Sequence, residues 1–453
     1  MKNNSLSYTT LILIHLAIAL AVFAVPFLSK VYALLIPFAG LIYVFGTKNK
    51  NNEVLLIAAY MVGVEVFLRM TGGNFNNEYV KVNIIFFMLI GMVYNGFTVN
   101  SLIYSFFLIL LIPGILLTAT SADFSTDIKK VLVFNISGPV CLGIAAIYTF
   151  KRNISFSDLQ NIVKVMGLPI ITTTAYLFLY NPSVQDVVTG TQSNFETSGG
   201  FGPNQVSTIL GLGMFVFFTQ LILFSQSKKM LLLNGGLVLL ISYRAIVTFS
   251  RGGVMTGVVM IMGLMFLLYC YSNAKVKTKL SLVLMVTAIL ALAVWSYSSF
   301  QTSGLINKRY ANEDAVGRVK KDRLGGREAI MNSELNMFIT NPVMGVGAGL
   351  GKENRKNMGK IEDAATHNEI TRMLSEHGLF GLLGLIILFI TPLIMYIGNR
   401  QHFYFLSFYF FWLLTINHAA MRTAAPAFVY ALTLLNVTNI KTNNTKNKES
   451  ITD

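Results

Sequence analysis

The stretch KLSLVLMVTAILALAVWSYSS, residues 279–299, runs straight into FQTSGLINKRYANEDAVGRVKKDRLGGRE, residues 300–328. The first part is apolar over the ~20 residues a helix needs to cross a bilayer core. The second opens the one long polar interruption in the chain, Gln301 to Glu376, which holds about a third of all Lys and Arg. A membrane protein that keeps one long polar loop among short ones is expected to use it.

Outward from this junction, apolar runs of similar length are joined by short links. Helices are expected near 9–28, 31–46, 54–70, 82–97, 100–119, 131–150, 161–181, 204–225, 230–249, 253–271 and 279–299, then near 378–397, 403–418 and 423–437. The fold expected is an all-α polytopic membrane protein with about 12–14 transmembrane helices and one large extracytoplasmic loop carrying short helices. This divides the chain into a helix bundle (1–300), the loop (301–376), C-terminal helices (377–440) and a cytoplasmic tail (441–453). The first run, Thr9 to Leu28, is long enough to span and is read as a helix, not a cleaved leader.

Composition agrees. With 54% hydrophobic and 12% charged residues the chain lies outside the range of a soluble domain of this length. A net charge of +15 would suggest nucleic acid in a soluble protein. Here the cations sit mostly at the ends of spans, so they report topology and no nucleic-acid partner is expected. Lys48, Lys50, Lys151, Arg152, Lys164, Lys228, Lys229, Lys275, Lys277, Lys279 and Arg400 fall on alternate links, whereas Asn181 to Pro203 carries no Lys or Arg. That bias puts the N-terminus in the cytoplasm and the loop outside. Cys141 and Cys270 both lie in apolar spans without metal-ligand spacing, and are read as packing residues.

Several residues carry chemical interest. Arg244 lies inside an apolar span, and Arg251 follows in Thr248-Phe249-Ser250-Arg251-Gly252-Gly253. A spacing of seven puts both on one face if the helix continues. Cations held at membrane depth usually line a cavity or meet an anion, and a planar guanidinium suits phosphate; the plainer reading is snorkelling or pairing with a carboxylate such as Glu65. His367, followed by Asn368, sits in the outside segment near the return to the membrane, where imidazole suits proton transfer. His15, His377, His402 and His418 sit in or at the ends of spans and are read as packing or interfacial hydrogen-bonding groups. Glu65 and Arg69, four apart, are expected to pair and stabilise the end of span three. Glu313/Asp314 and Glu362/Asp363 are read as solvated loop charge, with no metal site. Arg327 to Thr340 reads as an amphipathic helix on the membrane or the bundle, with Met331, Leu335 and Phe338 at helical spacing, stopped by Asn341-Pro342. The glycines Gly345, Gly347, Gly349 and Gly351 lack a preceding strand and a following Lys-Ser/Thr, so they suggest a turn or a close backbone approach, not a phosphate loop.

Together these stretches resemble the O-antigen ligase and polymerase family of bacterial membrane glycosyltransferases. In order, they are Gly202-Pro203-Asn204, Thr248 to Gly253, Arg327, Asn341-Pro342 through Gly349, and His367-Asn368-Glu369-Ile370 with Glu376, Gly378 and Gly381. The resemblance covers roughly Gly200 to Ile397. It implies inverting transfer of a glycan from undecaprenyl diphosphate to a sugar hydroxyl, on lipid A-core for a ligase or on another repeat unit for a polymerase. It places that reaction on the periplasmic face of the inner membrane, without metal or other cofactor. It implies His367 as the base and Arg251 and Arg327 as diphosphate-binding groups. Arg244 would assist by its position, and Asn204, Ser250, Asn368 and Glu376 would support. The competing expectation is a transporter or flippase for a lipid-linked or polyanionic substrate, which intramembrane Arg244, Arg251 and Glu65 would also suit.

Overall fold

The computed structural model describes residues 6–123, 126–320, 326–357 and 366–438. Before the loop the helices are α1 (Tyr8–Ala24), α2 (Leu28–Thr47), α3 (Glu53–Met70), α4 (Tyr79–Asn95), α5 (Leu102–Leu110), α6 (Ile112–Ser121), α7 (Ile128–Thr149), α8 (Phe156–Tyr180), α9 (Pro203–Thr219), α10 (Lys228–Ile246), α11 (Arg251–Tyr271) and α12 (Ala274–Gln301). The loop carries α13 (Leu305–Tyr310), α14 (Arg327–Thr340) and α15 (Gly351–Asn357). The chain then returns through α16 (Glu369–Gly398), α17 (Phe405–His418) and α18 (Ala425–Leu432). Glu362, Asp363 and the tail 441–453 lie outside the described residues.

Nine helical stretches among the described residues are long and apolar enough to cross a bilayer, α5 and α6 counting as one continuous stretch. Helices α1 and α4 are apolar but shorter, at 17 residues each. The protein is an all-α polytopic membrane protein. Helix α12 shows why: it packs so loosely on the bundle that only 6% of its apolar window is buried by protein, and lipid is the remaining apolar solvent.

The last two expected spans come out short. Helices α17 and α18 have 14 and 8 residues, so they rise about 21 and 12 Å. Every residue of α18 is buried. Non-helical backbone at membrane depth is tolerated where protein, not lipid, surrounds it. At the end away from the loop, β2 (Asn436–Thr438) pairs in parallel with β1 (Asn153–Ser155).

Two close approaches set the end of the bundle that faces the loop. In the first, Ser207 and Gly211 of α9 face Gly253 and Gly257 of α11, a small-residue seam at four-residue spacing that lets two backbones touch. A Cβ on Gly253 would stand 2.1 Å from the Ser207 carbonyl carbon, and one on Gly211 would stand 2.1 Å from the Gly253 oxygen. Ser207 Oγ also donates to the Ser250 carbonyl at 2.8 Å. The seam therefore brings the start of α11, with Arg251, against the start of α9. Gly253→Val is expected to lower the thermal unfolding midpoint in detergent, because overpacking costs about 1–3 kcal/mol and the obstructing atoms are backbone. An unchanged midpoint would mean the seam is looser than described.

The second approach is the break in α16. Gly378 takes φ 58°, ψ −135°, outside helical geometry. A Cβ there would stand 2.5 Å from the Pro342 carbonyl oxygen. Leu379 N–H donates to that same oxygen at 2.7 Å, and Val346 N–H donates to the Ser375 carbonyl at 2.8 Å. The glycine-rich segment after Pro342 thus packs on the lead-in turn of α16. Ala348 N–H donates to the Gly114 carbonyl at 3.0 Å, and Thr118 Oγ1 donates to the Ala348 carbonyl at 2.9 Å. This is the close backbone approach the glycines suggested.

Candidate active site

Helix α14 begins at Arg327, after Gly326 at φ 81°. Its buried face is Ile330, Ser333, Glu334 and Met337, while Leu335 and Ile339 point outward. The expected apolar stripe is therefore divided between bundle and surroundings, and a carboxylate sits on the inner face.

Opposite α14 runs the extended stretch Thr366-His367-Asn368. Its backbone is fixed from both sides. The His367 carbonyl accepts from Ala420 N–H at 3.1 Å, and Arg422 Nη2 donates to the Thr366 carbonyl at 2.7 Å. Asn368 caps α16, its Oδ1 accepting from the Ile370 and Thr371 amides at 2.9 and 3.3 Å. Its side-chain nitrogen donates to Asn417 Oδ1 at 3.2 Å. These contacts hold the main chain on each side of His367.

Between the two segments lies a cavity of about 270 Å³. Helix α14 contributes Arg327, Ile330 and Met331, the extended stretch contributes Thr366, His367 and Asn368, and the end of α17 contributes Asn417 and His418. No carboxylate lines it among the described residues. Gly252, the residue after Arg251, packs against the ring of His418. That ring meets Thr208 Oγ1 at 3.1 Å through Nε2, and a Cβ on Gly252 would stand 2.5 Å from its Cδ2. Ser250 Oγ donates to Asn204 Oδ1 at 2.8 Å, tying the turn before Arg251 to the first turn of α9.

The electrostatics follow from this crowding. Burial lowers the proton affinity of Arg327, and the charge of Arg251 lowers it further. Arg309 is lowered by burial and then by Arg251 and Arg327. Burial also lowers Arg422, with Arg327 adding to the effect. His367 is pushed down to about 4 by burial first, then by Arg422, Arg327 and His418. A neutral imidazole thus sits among guanidinium groups that raise one another's cost. An anion is the partner that such a field selects.

The other expected residues stand elsewhere. Helix α10 stops at Ile246 and α11 starts at Arg251, with Phe249 at φ 58° between them, so Arg244 and Arg251 do not share a helix face. Arg244 is 1% exposed and donates to the carbonyls of Asn181 and Thr197 at 3.3 and 3.0 Å. There it braces the link between α8 and α9 and does not line the cavity. Glu376 is buried in an ion pair with Arg372 at 2.7 Å, and Arg372 also holds Glu369. Glu65 and Arg69 pair at 2.7 Å as expected, and the free Glu65 oxygen accepts from Ala424 N–H at 2.7 Å, steadying the turn that carries Arg422. Asp314 pairs with Arg318 in exposed loop.

Sequence reasoning missed Arg422, Asn417, His418 and Arg309. An Arg inside the apolar setting Ala419-Ala420-Met421-Arg422-Thr423-Ala424 was the available signal.

Residues 236–386 match the family model described as O-antigen ligase. The matched segment, about a third of the chain, is similar to the O-antigen ligase family. No curated protein matches it. The match to the O-antigen ligase family runs from the middle of α10 into α16, so it contains Arg244, Arg251, Arg327, His367, Asn368 and Glu376. It supports glycosyl transfer of the O-antigen ligase and polymerase type in general, by a multi-pass membrane protein. Asn204, Asn417, His418 and Arg422 fall outside the matched segment.

Proposed function

We propose that this protein is a glycosyltransferase of the O-antigen ligase and polymerase type, and that it moves a glycan from undecaprenyl diphosphate to a sugar hydroxyl, on lipid A-core or on a second repeat unit. The observation that carries the reading is a single cavity holding both the His367 imidazole and the Arg327 guanidinium, with the charge of Arg251 felt at Arg327. The acceptor oxygen attacks the anomeric carbon, the bond from that carbon to the diphosphate breaks, and the configuration inverts. The acceptor proton passes to a ring nitrogen of His367 and then to water. Arg251 and Arg327 receive the charge that develops on the departing diphosphate. Asn368 and Asn204 with Ser250 support by fixing the backbones beside His367 and Arg251. Glu376 holds the lead-in of α16, and Arg244 is left a structural part, bracing the link between α8 and α9 away from the cavity.

The charge field suits this order of events. In the resting protein His367 is neutral at neutral pH. An arriving diphosphate offsets Arg327 and Arg422, which raises the affinity of the imidazole for a proton. The base therefore strengthens when the donor is in place.

The inner membrane and its periplasmic face are supported by charge. Lys48, Lys50, Lys151 and Arg152 gather at the end of the bundle opposite the cavity, where Arg152 reaches Asn52 Oδ1 at 3.4 Å.

The test is purified protein in vesicles with an undecaprenyl-diphosphate-linked glycan and lipid A-core. Glycan on lipid A-core, or lengthened glycan on the lipid, is the expected product, and the two outcomes separate ligase from polymerase. The acid limb of kcat/KM should fall near pH 4, below the usual imidazole range, because it reports the uncombined enzyme. Passage of the intact lipid-linked glycan across the bilayer, with no new glycosidic bond, would overturn the proposal in favour of a flippase.

A further inference from the structure

We infer that Glu334 is a positioning residue that clamps the helix carrying Arg327 to the stretch carrying His367. The inference rests on the roles proposed above for those two residues.

Glu334 lies seven residues after Arg327, hence two turns along the same face of α14, with the cavity-lining Ile330 and Met331 between them. Its side chain is 1% exposed. The two carboxylate oxygens do different things. Oε2 accepts from Thr366 Oγ1 at 3.2 Å and from Thr371 Oγ1 at 2.6 Å. Oε1 accepts from Arg355 Nη1 at 3.1 Å. Thr366 is the residue next to His367, and Thr371 is in the first turn of α16. One side chain therefore joins α14, α15, the His367 stretch and α16.

The alternative is a buried ion pair with Arg355 that serves stability alone. The division of labour between the two oxygens separates the readings. A glutamine keeps a carbonyl oxygen for the threonines and loses only the charge. A methionine fills the space and accepts nothing. Pairing each with Arg355→Met removes the buried charge on both sides, so neither variant strands an unpaired ion. Replacing both members of a buried pair with apolar groups usually preserves folding.

Two double variants form the experiment, Glu334→Gln with Arg355→Met and Glu334→Met with Arg355→Met. Two readouts are taken on folded protein of matched thermal midpoint. The first is glycan transfer. The Gln variant should keep nearly full kcat. The Met variant should lose about 10²-fold in kcat with donor KM little changed, the scale of a 1 Å misplacement. The second is the titration of His367, followed by NMR of ring-labelled histidine and assigned with His367→Gln. The charged and titratable groups around that ring are Arg422, Arg327 and His418. Slackening α14 takes Arg327 away, so the midpoint should rise in the Met variant and hold in the Gln variant. Equal kcat and equal midpoints in the two variants would overturn the clamp. The titration needs no catalysis, so a shifted midpoint with no transfer by any form would keep the clamp and sink the glycosyltransferase reading instead.

Discussion

Replacing His367 by alanine should lower glycan transfer by about 10²–10⁴-fold while the protein still binds its lipid-linked donor. The two halves of that expectation have separate causes. In the proposed mechanism the ring takes the proton of the acceptor hydroxyl, and alanine has nothing to offer in its place. The main chain around it is held by contacts that do not involve the ring, from Ala420 N–H to its carbonyl and from Arg422 to the carbonyl before it. The arginines should therefore stay where they are. Removing an imidazole that burial, with the arginines adding to it, holds neutral takes away no favourable charge, so donor KM should change little. His367→Gln is the sharper variant, since it keeps size and hydrogen bonding and lacks only basicity. It should be as impaired as alanine, and the residual rate should lose its acid limb near pH 4. Transfer at the normal rate by either variant would remove the base from the mechanism.

The apolar runs were legible because each needs only its own residues to be a helix in lipid. The stretch 279–299 lies within α12, and the polar interruption carries α13, α14 and α15. What was hidden is tertiary. Whether α10 continues into α11 depends on the turn at Phe249, and no local rule announces a phenylalanine at positive φ. The spans expected at 403–418 and 423–437 are short because protein encloses α18, and a hydrophobic run cannot say whether lipid or protein surrounds it. Arg244 shows the same limit. Its sequence setting fits an anion site and a carbonyl brace equally well, and only the packing of the link between α8 and α9 reveals the brace. Glu334 reads as an ordinary helix charge until Thr366 and Thr371 are placed beside it. Arg251 stands out because a cation near a membrane is costly, whereas Arg327 and the base role of His367 rest on the family resemblance and not on any local rule. Arg422 carries the same signal, a cation between two apolar runs.

Arg251→Ala and Arg327→Ala should each cost about 10²–10³-fold in kcat, the usual price of removing one preorganised donor from a developing oxyanion. The two arginines are not spare copies. Arg327 is the cation whose charge reaches Arg251's side of the site and also His367, Arg422 and His418, so it stands between the donor end and the base. Its loss should therefore leave two marks. Transfer falls, and the acid limb moves up from about 4, because one of the cations depressing the imidazole is gone while burial and Arg422 remain. Arg251 is absent from the groups that perturb His367, so its loss should lower transfer without moving the limb. Lysine tests the chemistry of the contact. It restores a charge but not the planar fork that grips two phosphate oxygens, so Arg251→Lys and Arg327→Lys should stay impaired. Arg327→Lys, however, should return the limb towards its original place, since a point charge depresses the imidazole nearly as well. Arg244→Met supplies the contrast: its guanidinium braces two carbonyls, so the main loss should be in folded protein, with the rate per folded molecule less affected. Full activity in both lysine variants would mean the guanidiniums merely balance charge at the surface of the bundle, and that the diphosphate is held by other groups.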